Sequence, residues 1–183
     1  MGTPRLPRHR DSFLLQHRDS MERKDRKKVL RSISNGMYVV TSKSADRYGT
    51  ATVTWLTQSS FEPPLLVAAI RPGSSLSECL QDCRHAVVHV IGAHQQEIVQ
   101  RFFSRTEVDL EAAPPTLGGL PFTLSESGIP ILNDAAAYAE CRLIETIDCG
   151  GDHNLVVLEV TSVSWREDFE PLTVRNSPWE YGG

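Results

Sequence analysis

The alternation of apolar and polar positions predicts a chain built mainly from β-strands. Residues 65–70 (LLVAAI) and 86–91 (AVVHVI) are continuous apolar runs of strand length, rich in β-branched residues. Two longer runs flank an Asp- and Gly-containing turn near the C-terminus. The pattern predicts strands at 37–41, 51–57, 65–70, 86–91, 137–147 and 154–165, with a polar turn at 43–49.

Three segments show helical periodicity instead. Residues 21–34 are highly charged, with Val29, Leu30 and Ile33 at helical spacing, which predicts a surface helix. A short helix is expected over 75–83, beginning at the Ser pair because Ser75 and Glu78 stand at capping-box spacing. A third is expected over 94–103, where apolar side chains share one face.

The remaining stretch, 104–131, is rich in Pro and Gly and has few periodic positions, so we expect a long functional loop. Six strands, few helices and short turns favour a closed antiparallel barrel over a βαβ sheet. No G-x-G-x-x-G follows any predicted strand, which argues against a dinucleotide-binding fold of the Rossmann type. We therefore predict a mostly β protein, a split antiparallel barrel with a few helices.

Composition and charge narrow the classes of function. Residues 1–34 hold 10 Lys and Arg against 4 Asp and Glu, whereas the rest holds 9 against 19. The acidic body argues against nucleic acid as a partner. We expect residues 1–20 to be a disordered tail without a secretory signal, and 21–183 to form one domain. With no membrane-length apolar run and no CxxC pair among four cysteines, we predict a cytoplasmic protein with reduced thiols, no membrane association and no metal site.

The segment 49–76 carries the chemistry of a ligand site. Its first half brings hydroxyls and an amide to a strand whose backbone also donates and accepts hydrogen bonds, from Thr50, Thr52, Thr54, Thr57 and Gln58. Pro63-Pro64 then ends the strand pairing. Arg71 and the run Gly73-Ser74-Ser75 offer a charge, a close backbone approach and a helix N-terminus, which together suit a phosphate. The whole segment suits a planar cofactor that bears a phosphate.

Taken in order, these pieces resemble the flavin reductase-like, FMN-binding split-barrel family. The resemblance covers about residues 22–183 and rests on the order and spacing of its pieces rather than on any one of them. They are GMYVVTS at 36–42, TVTWLTQSSFEPPL at 52–65, RPGSS at 71–75, HVI at 89–91, Gln95 or Gln96, RFF at 101–103, IL at 131–132, AEC at 139–141, GDH at 151–153, PL at 171–172 and WEYGG at 179–183.

The resemblance implies a homodimeric flavoprotein enzyme, a flavin reductase that transfers hydride from NADH or NADPH to FMN, with FAD as the alternative flavin. It implies that the reduced flavin passes its electrons on, either by release to a partner monooxygenase or to another acceptor. The segment 52–59 would line the flavin, through Thr52, Thr54, Trp55, Leu56, Thr57 and Gln58. Arg71, Ser74 and Ser75 would hold its phosphate, Phe103 would pack near the cofactor, and His153 would be the catalytic-site residue facing the nicotinamide.

Two departures and two other functions accompany this interpretation. Leu158 stands where family members often have Gly, and Trp55 is bulkier than the usual Ala or Ser, so that its indole either stacks on the ring or narrows the pocket. The same residues also fit a non-catalytic module that binds flavin or haem, or an oxidase resembling those that act on pyridoxamine phosphate. His153 also has a purely structural interpretation, in which it closes the Gly-Asp turn.

Overall fold

The computed structural model of the protein describes residues 23–180. Our expectations for residues 1–20 and for the terminal 181–183 lie outside this range. The chain divides into two units, of which the first comprises residues 23–34 and Glu180 as far as it is described. It holds helix α1 (Arg23–Arg31), which confirms the helix predicted from the charged segment 21–34. Arg31 Nη1 donates to Glu180 Oε2 at 2.8 Å.

The second unit, residues 35–179, holds eleven strands and two further helices. The strands are β1 (Tyr38–Ser44), β2 (Arg47–Val53), β3 (Leu56–Ser60), β4 (Leu65–Ile70), β5 (His85–Val90), β6 (Val108–Asp109), β7 (Thr116–Leu117), β8 (Leu120–Leu124), β9 (Pro130–Leu132), β10 (Ala137–Ile147) and β11 (Asn154–Trp165). The helices are α2 (Ser75–Cys83) and α3 (Gln96–Gln100). None of the helices within residues 23–180 has the length and apolar content needed to cross a bilayer.

Seven strands form one antiparallel sheet in the order β2-β1-β5-β10-β11-β4-β3. Its two edge strands, β2 and β3, are consecutive in the chain and are joined only by Thr54-Trp55. This link lets the Cα atoms of Val53 and Leu56 lie at most about 11 Å apart, so the sheet must curl until the end of β2 meets the start of β3. This confirms the mostly β, antiparallel barrel expected from the sequence.

Four predicted elements coincide with the structure, namely the strands 65–70, 137–147 and 154–165 and the helix 75–83. The barrel core explains why, since each contributes buried side chains to one cluster that includes Ala68, Leu80, Leu143 and Leu158. Burial of such side chains is the main favourable term in folding. Leu158 is fully buried in this core.

The predicted strand 51–57 was wrong as a single element. Residues 51–53 end β2, which pairs with β1, whereas 56–57 begin β3, which pairs with β4. The chain therefore changes pairing partner at Thr54-Trp55. Neighbouring β-branched residues gave no local signal of this break, because it is imposed by closure of the barrel.

The expected polar turn at 43–49 is shorter than predicted. β1 and β2 extend to Ser44 and from Arg47, with only Ala45-Asp46 between them, and Ala45 adopts a positive φ of 50°. A tight two-residue turn of this kind matches the twist of a hairpin. The strand expected at 86–91 is β5, shifted by one residue, and the helix expected at 94–103 is reduced to α3.

The long loop expected at 104–131 was also wrong. Residues 108–132 contain a second antiparallel sheet, in the order β6-β7-β8-β9. Gly118 and Gly119, with φ of 60° and 73°, form the turn that pairs Leu117 with Leu120. A Gly-Gly pair between strands is a hairpin signal. Around this sheet lies a second core cluster that includes Met37, Ile91, Phe102 and Leu132.

Candidate functional site

The link between β2 and β3 holds a buried hydroxyl that has no hydrogen-bond partner among the described residues. The backbone of Trp55 is held, since Ala69 N donates to Trp55 O at 2.9 Å. Thr54 is only 4% exposed, and its Oγ1 has no hydrogen-bond partner among the described residues. Leaving a buried polar group unpaired costs about 1–3 kcal/mol. The hydroxyl is therefore a candidate for satisfaction by a ligand at this link.

At the end of β4, the chain turns into α2 through Arg71-Pro72-Gly73-Ser74. Ser74, not Ser75, is the N-cap of α2, so the expected capping box was wrong by one residue. The Ser74 hydroxyl accepts from Ser77 N at 3.2 Å and donates to Arg71 O at 2.8 Å. Arg71 and Ser75 are exposed at this corner. The corner thus combines a guanidinium with a helix N-terminus, where backbone N–H groups and the helix dipole attract anions.

Two glycines shape the approaches to this corner. Gly73 has a φ of 72°, and a Cβ added there would meet no atom within 4 Å, so the outer side of the turn is open. Gly49 on β2 is different, because a Cβ there would lie 2.5 Å from Ser75 O and 2.7 Å from Leu76 Cα. The missing side chain lets β2 pack against the first turn of α2, which fixes the helix N-terminus relative to the barrel.

The turn between β10 and β11 brings His153 to the same corner. Asn154 lies opposite Ile70 in the antiparallel register, which places His153 at the level of Arg71. The imidazole packs edge-on against the indole of Trp55, with ring centroids 5.1 Å apart and an interplanar angle of 74°. Residues far apart in sequence thus form one cluster, which we call the Trp55–His153 corner: Trp55, Arg71, Asp152 and His153.

Asp152 connects the charges of this corner. His153 Nδ1 lies 2.9 Å from Asp152 Oδ1. The hydrogen bond from His153 lowers the pKa of Asp152, and the nearby charges of His153 and Arg71 act in the same direction. Asp152 is not among the site residues that we predicted; the signal available in the sequence was its place immediately before His153 in the Gly-Asp-His turn.

The other end of the predicted flavin-lining segment lies against α3. Thr52 Oγ1 donates to Val99 O at 2.7 Å, and Thr52 N donates to Phe102 O at 3.2 Å. Both groups of Thr52 therefore fix α3 beside β2. The neighbouring Phe103 is 49% exposed and packs edge-on against Trp179, with centroids 5.0 Å apart.

The residues predicted on β3 lie on a sheet edge. Leu56 is half-buried against the barrel core, whereas Thr57 and Gln58 are exposed. Gln58 Nε2 donates to Ser60 O at 3.2 Å, and Thr57 Oγ1 donates to Gln58 O at 3.4 Å. Among the described strands, β3 pairs only with β4. Its other edge presents main-chain donors and acceptors, which suit the edge of a planar heterocycle.

Comparisons with known proteins agree with this arrangement. Residues 30–180 match the flavin reductase-like domain. The NADH:FMN oxidoreductase of Rhodococcus erythropolis is 32% identical over 146 residues, which cover 80% of this chain and 72% of that protein. Diflavin flavoprotein A 1 of Synechocystis sp. is 28% identical over 141 residues, or 75% of this chain. The match covers only 23% of that longer protein.

Solved structures share the fold. An FMN-binding protein from Thermus thermophilus is 27% identical with a TM-score of 0.62, over 73% of this chain and 71% of that one. The styrene monooxygenase flavin reductase of Pseudomonas putida S12 is 23% identical with a TM-score of 0.66, over 81% and 90% of the two chains. The fold is that of the flavin reductase split barrel, and the chain belongs to the flavin reductase-like domain family.

Proposed function

We propose that this chain binds FMN and catalyses its reduction by NADH or NADPH. The observation that carries the proposal is the Trp55–His153 corner, which joins an aromatic pair to an anion-binding turn beside the unsatisfied Thr54 hydroxyl. The activity named for the Rhodococcus relative, at 32% identity, supports the same assignment. FAD shares the flavin ring and the proximal phosphate, and stays the alternative cofactor.

The residues present fit this cofactor on chemical grounds. Arg71, with the N-terminus of α2 at Ser74 and Ser75, is suited to hold the phosphate. The Thr54 hydroxyl and the open edge of β3 are suited to hydrogen-bond the ring, because a flavin edge carries both donors and acceptors. Phe103 and Trp55 offer apolar faces. When bound, the flavin supplies the hydride chemistry, and the chain contributes binding, orientation and exclusion of water.

In this proposal, His153 and Trp55 help to position the nicotinamide. Their ring pair forms a wall beside Arg71 that would face a nicotinamide stacked on the flavin ring. Holding two reacting rings in a fixed geometry lowers the barrier by removing orientational freedom. Such a reductase needs no nucleophile–base pair.

The direct test is spectroscopic. The purified protein, loaded with FMN and freed of oxygen, is titrated with NADH and then NADPH while the visible flavin absorbance is followed. We expect bleaching by at least one nicotinamide, faster than that of the same FMN concentration without protein. Failure to bind FMN, or bleaching at the rate of free FMN, would contradict the proposed function.

A second candidate is a binding module without reductase activity. The observation in its favour is the likeness to the Thermus FMN-binding protein at 27% identity. A yellow protein that neither nicotinamide bleaches would identify this alternative, and an intense Soret band would identify haem instead. The experiment that tests the reductase therefore also separates the two candidates.

Two further expectations concern partners. A homodimer is proposed from the family resemblance, and sedimentation equilibrium of the flavin-loaded protein tests it. A partner monooxygenase that consumes the reduced flavin is supported by the description of the Pseudomonas structural neighbour as a monooxygenase reductase. Transfer of reduced flavin to such an enzyme, in a coupled assay with and without this protein, is its test.

A further inference from the structure

The contact with Asp152 determines which ring nitrogen of His153 carries a proton. His153 Nδ1 lies 2.9 Å from Asp152 Oδ1, and hydrogen bonding lowers the pKa of that carboxyl, so the carboxylate is ionised near neutral pH. An ionised carboxylate only accepts hydrogen bonds. Nδ1 must therefore be the nitrogen that carries the proton. In the neutral imidazole this leaves Nε2 with its lone pair as an acceptor.

The same contact fixes the orientation of the ring. The His153 side chain is only 18% exposed and its ring packs in a T-shaped contact with Trp55, whereas the Asp152 side chain is 82% exposed. Asp152 is thus an exposed residue whose hydrogen bond holds a largely buried one. An exposed pair of this kind adds little to folding stability. The contact closes the Gly-Asp turn, and it also fixes the position and tautomer of His153.

We propose that Asp152 is a positioning residue: it holds His153 in the Nδ1-protonated tautomer, so that Nε2 accepts a hydrogen bond from the carboxamide N–H group of a nicotinamide. This rests on the proposed function for the substrate, but the tautomer itself does not. Nicotinamide carries an amide donor that suits a neutral imidazole acceptor. Arg71 is the cation beside Asp152 and its charge favours the ionised carboxylate on which the arrangement depends.

The experiment compares Asp152→Ala, Asp152→Asn and Asp148→Asn in the full-length protein. Asp148 is a matched control because it is exposed in the same turn and its carboxylate accepts from Gly150 N at 2.8 Å, an acceptor role that Asn retains. The first readout is the pair of imidazole nitrogen chemical shifts of His153 by NMR in flavin-free protein. The second is kcat and KM for NADH and NADPH, together with the Kd for FMN.

We expect Asp152→Ala to abolish the uniform Nδ1-protonated signature and to lower kcat/KM for the nicotinamide by roughly tenfold or more, the scale of one charge-assisted hydrogen bond. The Kd for FMN should not rise, because the substitution removes a carboxylate from beside Arg71 and leaves that cation free to attract the phosphate. Asp152→Asn should keep much of the rate that Asp152→Ala loses, because its amide oxygen can also accept a hydrogen bond from Nδ1. The rate across the variants should therefore change in parallel with the fraction of the Nδ1-protonated tautomer. Asp148→Asn should behave as the unchanged protein.

The outcomes separate this inference from the proposed function. An unchanged tautomer in Asp152→Ala, or an altered tautomer with an unchanged kcat/KM, overturns the positioning role. If the unsubstituted protein reduces no flavin yet Asp152→Ala shifts the tautomer, the proposed function fails and the role of Asp152 toward a nicotinamide fails with it, whereas its control of the His153 tautomer stands.

Discussion

At the scale of single residues, the predicted site residues differ in whether their hydroxyls already have a hydrogen-bond partner within the chain. The hydroxyl of Thr52 donates to Val99 O at 2.7 Å, and that of Ser74 donates to Arg71 O at 2.8 Å. Thr54 does not, although it is the most deeply buried of the predicted site residues. Hydroxyl-bearing residues of this segment thus divide into those whose hydroxyls are satisfied within the chain and Thr54, whose hydroxyl is not.

Thr54→Val tests that division. Valine has nearly the shape of threonine without the hydroxyl, so removing an unsatisfied group should leave the free energy of unfolding unchanged or raise it by up to about 1–2 kcal/mol in flavin-free protein. The Kd for FMN should rise severalfold. Denaturant unfolding and flavin titration measure the two quantities.

Thr41→Val is the matched control for this prediction. Thr41 is equally buried, but its Oγ1 donates to Pro130 O at 2.6 Å. The same substitution there leaves a buried carbonyl unpaired and should destabilise the protein by about 1–3 kcal/mol. Equal destabilisation at both positions would show that the Thr54 hydroxyl is satisfied.

At the scale of elements, the sequence predicted what local patterns determine. The strands 65–70, 137–147 and 154–165 and the helix 75–83 were found with the predicted bounds because their apolar residues form the barrel core. The break at Thr54-Trp55 depends on pairing with β4, which no local pattern encodes. The hairpin at Gly118-Gly119 did have a local signal, which the abundance of Pro and Gly around it obscured.

The candidate site also has one part that local sequence patterns predict and one part that depends on strand pairing. Arg71 with the start of α2 is a local turn and was predictable from RPGSS, apart from the identity of the cap. The contact between Trp55 and His153 joins residues 98 positions apart and follows from the register of β4 with β11. Only the family resemblance placed these two residues in one pocket, and it did not single out Asp152.

His89 links three strands and makes their stability depend on pH. Its Nδ1 donates to Val39 O on β1 at 2.9 Å, and its Nε2 accepts from Leu132 N on β9 at 3.0 Å. Burial lowers the pKa of His89 to about 4, aided by the charge of Arg166 and opposed by the bond to Val39. Protonation of Nε2 would remove the acceptor that Leu132 N–H requires.

Because folding lowers the pKa of His89, acid reduces the free energy of unfolding. Between the ordinary value of 6.5 and about 4, the unfolded chain binds a proton that the folded chain does not. Stability from this group is therefore complete above pH 6.5 and falls as the pH drops, by up to about 1.4 kcal/mol per pH unit. Urea unfolding across this range measures the slope, and His89→Gln should lack that contribution. Titration of His89 near 6.5 by NMR would contradict the prediction.

At the scale of the whole molecule, the proposed ligand site lies where the barrel closes. The edge strands β2 and β3 meet at Thr54-Trp55, and the α2 N-terminus is packed onto β2 at Gly49. A ligand that contacts this link, the β3 edge and the Arg71 corner together binds only when the sheet is closed. Binding to the folded state alone raises stability by mass action, so flavin should stabilise the protein as a single cooperative unit.

Comparing the stabilisation by FMN with that by riboflavin measures the contribution of the phosphate contact. We expect FMN at a hundred times its Kd to stabilise the protein by about 2.7 kcal/mol, with a smaller rise in Tm for riboflavin at equal concentration because it lacks the phosphate. Arg71→Ala should weaken FMN binding by roughly 1.5–3 kcal/mol, the range for a hydrogen bond to a charged group. It should leave riboflavin binding nearly unchanged. Because the difference between the two ligands is the phosphate alone, an equal loss for both in Arg71→Ala would place Arg71 outside the phosphate site, whereas a loss confined to FMN would assign the charge at this corner to the phosphate.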